Sequence, residues 1–278
     1  MATTQASHTA LMIAAYRARA TAAEGALISD PWAAALAGED GMRIARELDA
    51  VYPHMELWTA VRTALLDDLV ETYTSPPHDF RQVIMLGAGL DTRAARLAKG
   101  GVRFYEVDQP KTQAEKRKRI EALPGYPKGA AIFVECDFER DALAEKLTLA
   151  GVDLGAPALV IWEGVTPYLV EAAVRATLRA IATTLHPRSV VVFDHLLKKQ
   201  AEQKEHAQGY VQRLGEPVVF GTNDPVPMLY EEGFRHVRSL SFDEACLSLT
   251  GTYAREREFR FQRIVLASAT APARPSTI

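Results

Sequence analysis

Cysteine is nearly absent: Cys136 and Cys246 are the only two in 278 residues, far apart and without metal-ligand spacing. That argues against a disulfide framework and a zinc centre, and suits a reducing compartment. One-signed charge is lacking too, with a formal net charge of -3 and 24% charged residues. Such a balance gives no electrostatic case for nucleic acid or an anionic membrane. No apolar run reaches the ~18 residues of a membrane span, and the first 20 residues hold no basic stretch followed by an unbroken apolar core. The expectation is a cytoplasmic protein with neither nucleic acid nor membrane as partner. The one dense basic run, Lys116-Arg117-Lys118-Arg119, reads as the solvated face of a helix.

Apolar residues make up 48% of the chain, enough for one large α/β domain with an appendage. Residues 1–78 read as a helical cap. Asp30-Pro31 is a helix start and Gly38 a helix stop. From Arg43 to Thr72 apolar residues recur at three- and four-residue spacing, with Pro53 dividing two helices. Beyond the linker Ser75-Pro76-Pro77-His78, strands and helices alternate over 79–270, the pattern of a mostly parallel sheet covered on both faces. Strands are expected at 82–86, 102–107, 131–135, 158–162, 189–195, 234–239 and 260–267. Helices are expected at 91–99, 110–122, 139–149, 170–185 and 224–232, with none before the final strand, which is expected antiparallel beside its predecessor. Residues 196–222 read as a lid-like insertion and 271–278 as a disordered tail.

The most informative stretch is 81–110. A buried strand leads into Gly87-Ala-Gly89, a helix, a second strand and then Asp108. Two glycines at a strand's carboxyl end let backbone approach a ligand, and an acid about 20 residues on can grip a ribose hydroxyl pair. A nucleoside-bearing cofactor follows from this pattern. Thr92 stands where a dinucleotide site has its third glycine, and no tyrosine–lysine pair or metal cluster serves hydride chemistry. An NAD(P)-dependent oxidoreductase is therefore the alternative from a different class, not the first reading.

Gly-Ala-Gly-Leu-Asp-Thr-Arg (87–93), Glu-Val-Asp-Gln-Pro (106–110), Cys-Asp-Phe (136–138) and Trp-Glu-Gly-Val-Thr-Pro-Tyr-Leu (162–169) resemble, in order, the motifs of the leucine carboxyl methyltransferase family. Tyr16-Arg-Ala-Arg19, Ser29-Asp-Pro31 and Val61-Arg-Thr-Ala-Leu-Leu-Asp67 resemble its amino-terminal region, so that the likeness covers about 8–195. The resemblance implies a Rossmann-like, seven-stranded methyltransferase sheet, mostly parallel with an antiparallel last strand. It implies S-adenosylmethionine as cofactor and S-adenosylhomocysteine as product. It also implies Gly87 and Gly89 beside the methionine and ribose portion, Asp108 with Gln109 at the ribose, and Asp137 with Phe138 at the adenine. Arg62, with Arg19, would neutralise the cofactor's carboxylate. Glu163 would face its amino group or sulfonium region, and Tyr168 would stand near the methyl group or acceptor.

Asp91 reads as a residue that ties down the glycine turn, and Arg93 as a brace between loops. His195, at the end of a strand, is either a general base or a buried histidine. A carboxylic acid is already anionic at neutral pH and needs no base, whereas a phenol would want one. The expectation is methyl ester formation on a small organic acid. A phenolic or hydroxyl acceptor of secondary metabolism is the nearest alternative, and a protein substrate is the less favoured one.

Overall fold

The computed structural model describes residues 7–50, 52–53, 55–202, 212, 214–251 and 261–271. Seven strands form one sheet in the order β3-β2-β1-β4-β5-β7-β6. They are β1 (Gln82–Leu86), β2 (Arg103–Asp108), β3 (Ala131–Glu135), β4 (Leu159–Trp162), β5 (Val190–Leu196), β6 (His236–Ser241) and β7 (Gln262–Ser268). β1 to β5 pair in parallel, and β7 enters antiparallel between β5 and β6. The strand order reverses outward from β1 and β4. Open α/β sheets bind ligands in the crevice that such a reversal leaves at the strands' carboxyl ends.

Alternation along each strand supplies two cores. On one face Val83, Met85, Phe104, Ile161 and Val192 pack with α3 (Met55–Thr74) through Trp58, Val61, Leu65 and Leu69. On the other, Ile84, Leu86, Tyr105, Trp162 and Phe193 pack with α6 (Leu143–Leu149), α7 (Glu171–Thr184) and α9 (Val226–Glu231). The short elements α4 (Arg93–Arg96), α5 (Pro110–Glu121) and α8 (Lys198–Glu202) complete the series up to α9. Thus α3 belongs to the core of the sheet. α1 (His8–Ala22) and α2 (Ala33–Asp49) instead share a third cluster with Leu90 of the glycine turn and Ile120 of α5. That contact places them as a roof over the carboxyl ends of the strands.

Several expectations need correction. α10 (Phe242–Thr250) lies between β6 and β7, where no helix was expected. Ser241 accepts from the Glu244 amide while the Glu244 carboxylate reaches back to the Ser241 amide, a capping box closed by the left-handed Gly251. The stop expected at Gly38 is present, since its φ of 61° and ψ of -170° break α2 into two helical pieces. The helix expected at 91–99 shrinks to one turn. Lys116 is no solvated residue. It is buried, pairs with Glu106 and donates to the Asp91 carbonyl. Residues 203–211 and 213 of the insertion, and 272–278 of the tail, lie outside the described residues. Among the described residues no helix is long and apolar enough to cross a membrane.

Candidate active site

A cavity of about 720 Å³ opens between the roof helices and the ends of β1, β2, β4 and β5. Its floor is the glycine turn. Gly87 holds φ +66°, and a Cβ there would stand 2.2 Å from Val165 Cγ2. Gly89 holds φ +49° and would bring a Cβ within 3.3 Å of Ala10. Only glycine takes such backbone without strain, and here it also leaves room for the Val165 and Ala10 side chains. Asp108, at the end of β2, accepts the Gly89 amide at 2.6 Å and the Gln109 amide at 2.7 Å. Burial pushes its pKa up, and the two amides oppose that shift. Gln109, Asp137 and Phe138 line the next part of the wall. Phe138 lies 6.3 Å, centroid to centroid, from Trp162. The structure thus gathers an acid, an amide side chain, a second acid and an aromatic face along one wall. That is the equipment for a ribose and a base.

The far wall is ionic. Arg62, buried on α3, meets Glu163 at 2.8 Å through Nε and Asp194 at 2.7 Å through Nη1, with its guanidinium over Trp58. Asp194 also accepts the Gly164 amide at 2.6 Å, fixing the loop that carries Glu163 and Tyr168. Arg93, buried behind the turn, binds Asp67 at 2.8 Å and Glu163 at 2.6 Å and also pairs with Asp91. Burial alone would raise the pKa of Asp91 and Glu163. The opposing guanidinium charges together outweigh it, Arg93 with Arg17 at Asp91 and Arg93 with Arg62 at Glu163, and hold both below the usual carboxylate range. Asp91 and Arg93 therefore act as the ties and braces that their positions suggested.

Arg19 is a correction. It binds Asp49 at 2.6 Å and Glu56 at 2.7 Å and does not line the cavity. Arg17, two residues earlier and nearly buried, lines it instead, donating to the Leu90 carbonyl at 2.5 Å and pairing with Asp30 at 3.0 Å. Asp30 is more than a helix start, since it also accepts from Thr92 at 2.7 Å. Arg62 reaches the cavity as expected, but its charge is already met by two carboxylates.

Tyr168 sits in a single 3₁₀ turn, Thr166–Tyr168, and lines the cavity. Burial first, then the nearby Glu216 charge, raise its pKa and keep the phenol protonated. His195 faces elsewhere. It is fully buried, outside the cavity wall, with Nδ1 3.0 Å from the Leu196 carbonyl and its pKa lowered by burial. The returning end of the insertion supplies a residue that motif reading passed over. Glu216 lines the cavity and accepts from the hydroxyls of Ser7 and Thr9 at the start of α1.

This order of motifs around one crevice has a family counterpart. The family described as leucine carboxyl methyltransferase matches residues 10–182. The chain belongs to that family. A Mycolicibacterium paratuberculosis protein named "Putative S-adenosyl-L-methionine-dependent methyltransferase" is 34% identical over 203 residues, covering 67% of this chain and 62% of that protein. The match therefore spans less than two thirds of that relative's length. A Mycobacterium ulcerans protein of the same name is 29% identical over 85% of this chain and 84% of its own length. Among solved structures, a DUF574 family protein from Streptomyces avermitilis superposes with a TM-score of 0.67 at 14% identity, over 96% of this chain and 99% of the other. At that identity the likeness shows the fold alone. The family match ends within α7, so the insertion and Glu216 lie outside it.

Proposed function

We propose that this chain is an S-adenosylmethionine-dependent O-methyltransferase that forms methyl esters on the carboxylate of a small organic acid. The observation that carries the reading is the composition of this cavity. It combines a glycine floor, ribose- and adenine-type walls, and a protonated phenol at the far end, with no histidine among the described lining residues. About 720 Å³ under a roof falls within the ~300–1,000 Å³ of small-molecule sites. The names of the relatives point to the same cofactor.

The residues fit that cofactor. Gly87 and Gly89 would pass its methionine and ribose portion, Asp108 and Gln109 would take the ribose hydroxyls, and Asp137 with Phe138 the adenine. Glu163, held below its ordinary pKa between Arg62 and Arg93, would stand ionised beside the cofactor's ammonium or sulfonium. When bound, the cofactor supplies an electrophilic methyl group for in-line displacement, and the protein's share is orientation and exclusion of water. Tyr168 donates a hydrogen bond to the acceptor without losing its own proton. A carboxylate acceptor, with a pKa near 4, arrives as the nucleophile. His195, the histidine that could have served a phenol with a pKa near 10, stands outside the described cavity lining.

Titration calorimetry with S-adenosylmethionine, S-adenosylhomocysteine and NAD tests the cofactor half. Micromolar binding of the first two alone is expected, and binding of NAD alone would refute it. A panel of carboxylic acids and phenols, read by mass spectrometry for a gain of one methyl, tests the acceptor half. The expected rate is flat above pH 6. A rise above pH 7.5 that vanishes in His195→Ala would instead establish a phenolic acceptor.

A further inference from the structure

One contact on the cavity wall has no role in holding a nucleoside. Glu216 presents its carboxylate to two hydroxyls, Ser7 and Thr9, and its charge reaches the Tyr168 phenol. All four line the same cavity. The Glu216 segment is held in place, because the amides of Val219 and Phe220 donate to the Pro167 carbonyl at 2.8 and 3.1 Å, beside Tyr168. The nearby wall is apolar, formed by Met12, Ile13, Met55, Trp58, Leu196 and Phe261.

A carboxylate has only acceptors, whereas hydroxyls and a protonated phenol offer donors. A cage of neutral donors therefore suits an acid that must keep a nucleophilic oxygen. An arginine partner would lock both oxygens in a bidentate pair. Here the two arginines of the wall are already committed, Arg62 to Glu163 and Asp194 and Arg17 to Asp30. Two of its donors, the Ser7 and Thr9 hydroxyls, already hold a carboxylate, that of Glu216.

We infer that Ser7, Thr9 and Tyr168 form the station for the acceptor's carboxylate, that Glu216 holds it in the free protein as a built-in competitor, and that the acceptor is an acid with an apolar body that displaces Glu216. This rests on the methyl-transfer reading above and narrows it. Acids with a hydrocarbon chain or ring should bind better than small polar ones, because the neighbouring wall gives them apolar surface to cover.

The test uses octanoate and octylamine as probes, titrated into the protein saturated with S-adenosylhomocysteine. Glu216→Ala should bind octanoate about tenfold more tightly than the wild type, the scale set by freeing hydrogen bonds to a charged group, with no gain for octylamine. Ser7→Ala combined with Thr9→Ala should bind octanoate more weakly, with S-adenosylhomocysteine affinity unchanged. If Glu216→Ala instead loses octylamine binding and leaves octanoate unaffected, Glu216 anchors a cationic acceptor and the assignment is wrong. Failure of octanoate to bind either wild type or Glu216→Ala overturns it as well. Failure to bind S-adenosylhomocysteine would strike the methyl-transfer reading itself, and that is measured separately.

Discussion

At the scale of single residues, the cavity depends on side chains whose partners lie far off in sequence. Asp108 illustrates the legible case, because a glycine turn followed by an acid at the end of the next strand specifies its place. Removing its carboxylate in Asp108→Ala should weaken S-adenosylmethionine binding by about 1.5–3 kcal/mol, the worth of hydrogen bonds to a charged group. An unchanged dissociation constant in calorimetry would remove Asp108 from the site. Arg19 illustrates the illegible case. Residues two apart on a helix do not share a face, so choosing Arg19 over Arg17 reversed the side of α1 that meets the cavity. Lys116 went astray for a related reason. Within four consecutive basic residues sequence cannot show which one points inward, and its partner Glu106 is on a strand.

The Glu106–Lys116 pair carries a pH consequence. Burial pushes the Glu106 carboxyl up to about 7, with Lys116 only partly opposing it. Below its unfolded pKa, about 4.3, the group is protonated in both states and costs nothing. As pH rises through that value toward 7, the unfolded chain releases its proton first. The native state then binds more protons, and stability falls with rising pH. Between pH 5 and 7 the wild type should therefore lose stability relative to Glu106→Gln. Urea unfolding of both proteins across that range would show it, and parallel curves would contradict it.

At the scale of elements, the alternating strands were readable because both faces of the sheet are covered and each strand is a short apolar run. α10 was overlooked although its start is written in the chain. Ser241 and Glu244 have the spacing of a capping box, but the segment after them is short and followed by polar residues, so periodicity alone gave no helix. Ser241→Ala should cost about 1 kcal/mol, the usual worth of such a cap. Chemical denaturation measures this directly, and a loss below 0.3 kcal/mol would mean that α10 is held by packing alone. In the other direction, α4 stops after one turn although its composition favours more. Its two arginines are drawn instead into pairs with Asp67 and Asp91.

At the scale of the whole molecule, roof and sheet are joined by one buried ionic mesh. It runs from Arg17 and Asp30 through Thr92, Arg96 and Asp67 to Arg93, Glu163, Arg62 and Asp194. Its members come from α1, α3, α4 and the ends of β4 and β5, with Asp30 leading into α2. Motif reading found several of them singly, but the mesh is a property of tertiary contact and has no linear signature. Removing one cation strands several carboxylates in a dry interior, so Arg93→Met should cost about 3–5 kcal/mol, the scale for breaking a buried pair. Denaturation midpoints would register the loss, and a neutral effect would mean that solvent reaches the mesh.

The position of β7 bears on how the chain is assembled during synthesis. β6 leaves the ribosome before β7, yet its only strand partner in the finished sheet is β7. Domains take shape as they emerge, from the amino-terminal end, so β1 to β5 can associate while β6 still waits for its native partner. Until residues 262–268 arrive, β5 offers an open edge of buried apolar residues. A nascent chain stalled before that point would expose a sticky template, and chaperone capture should peak there.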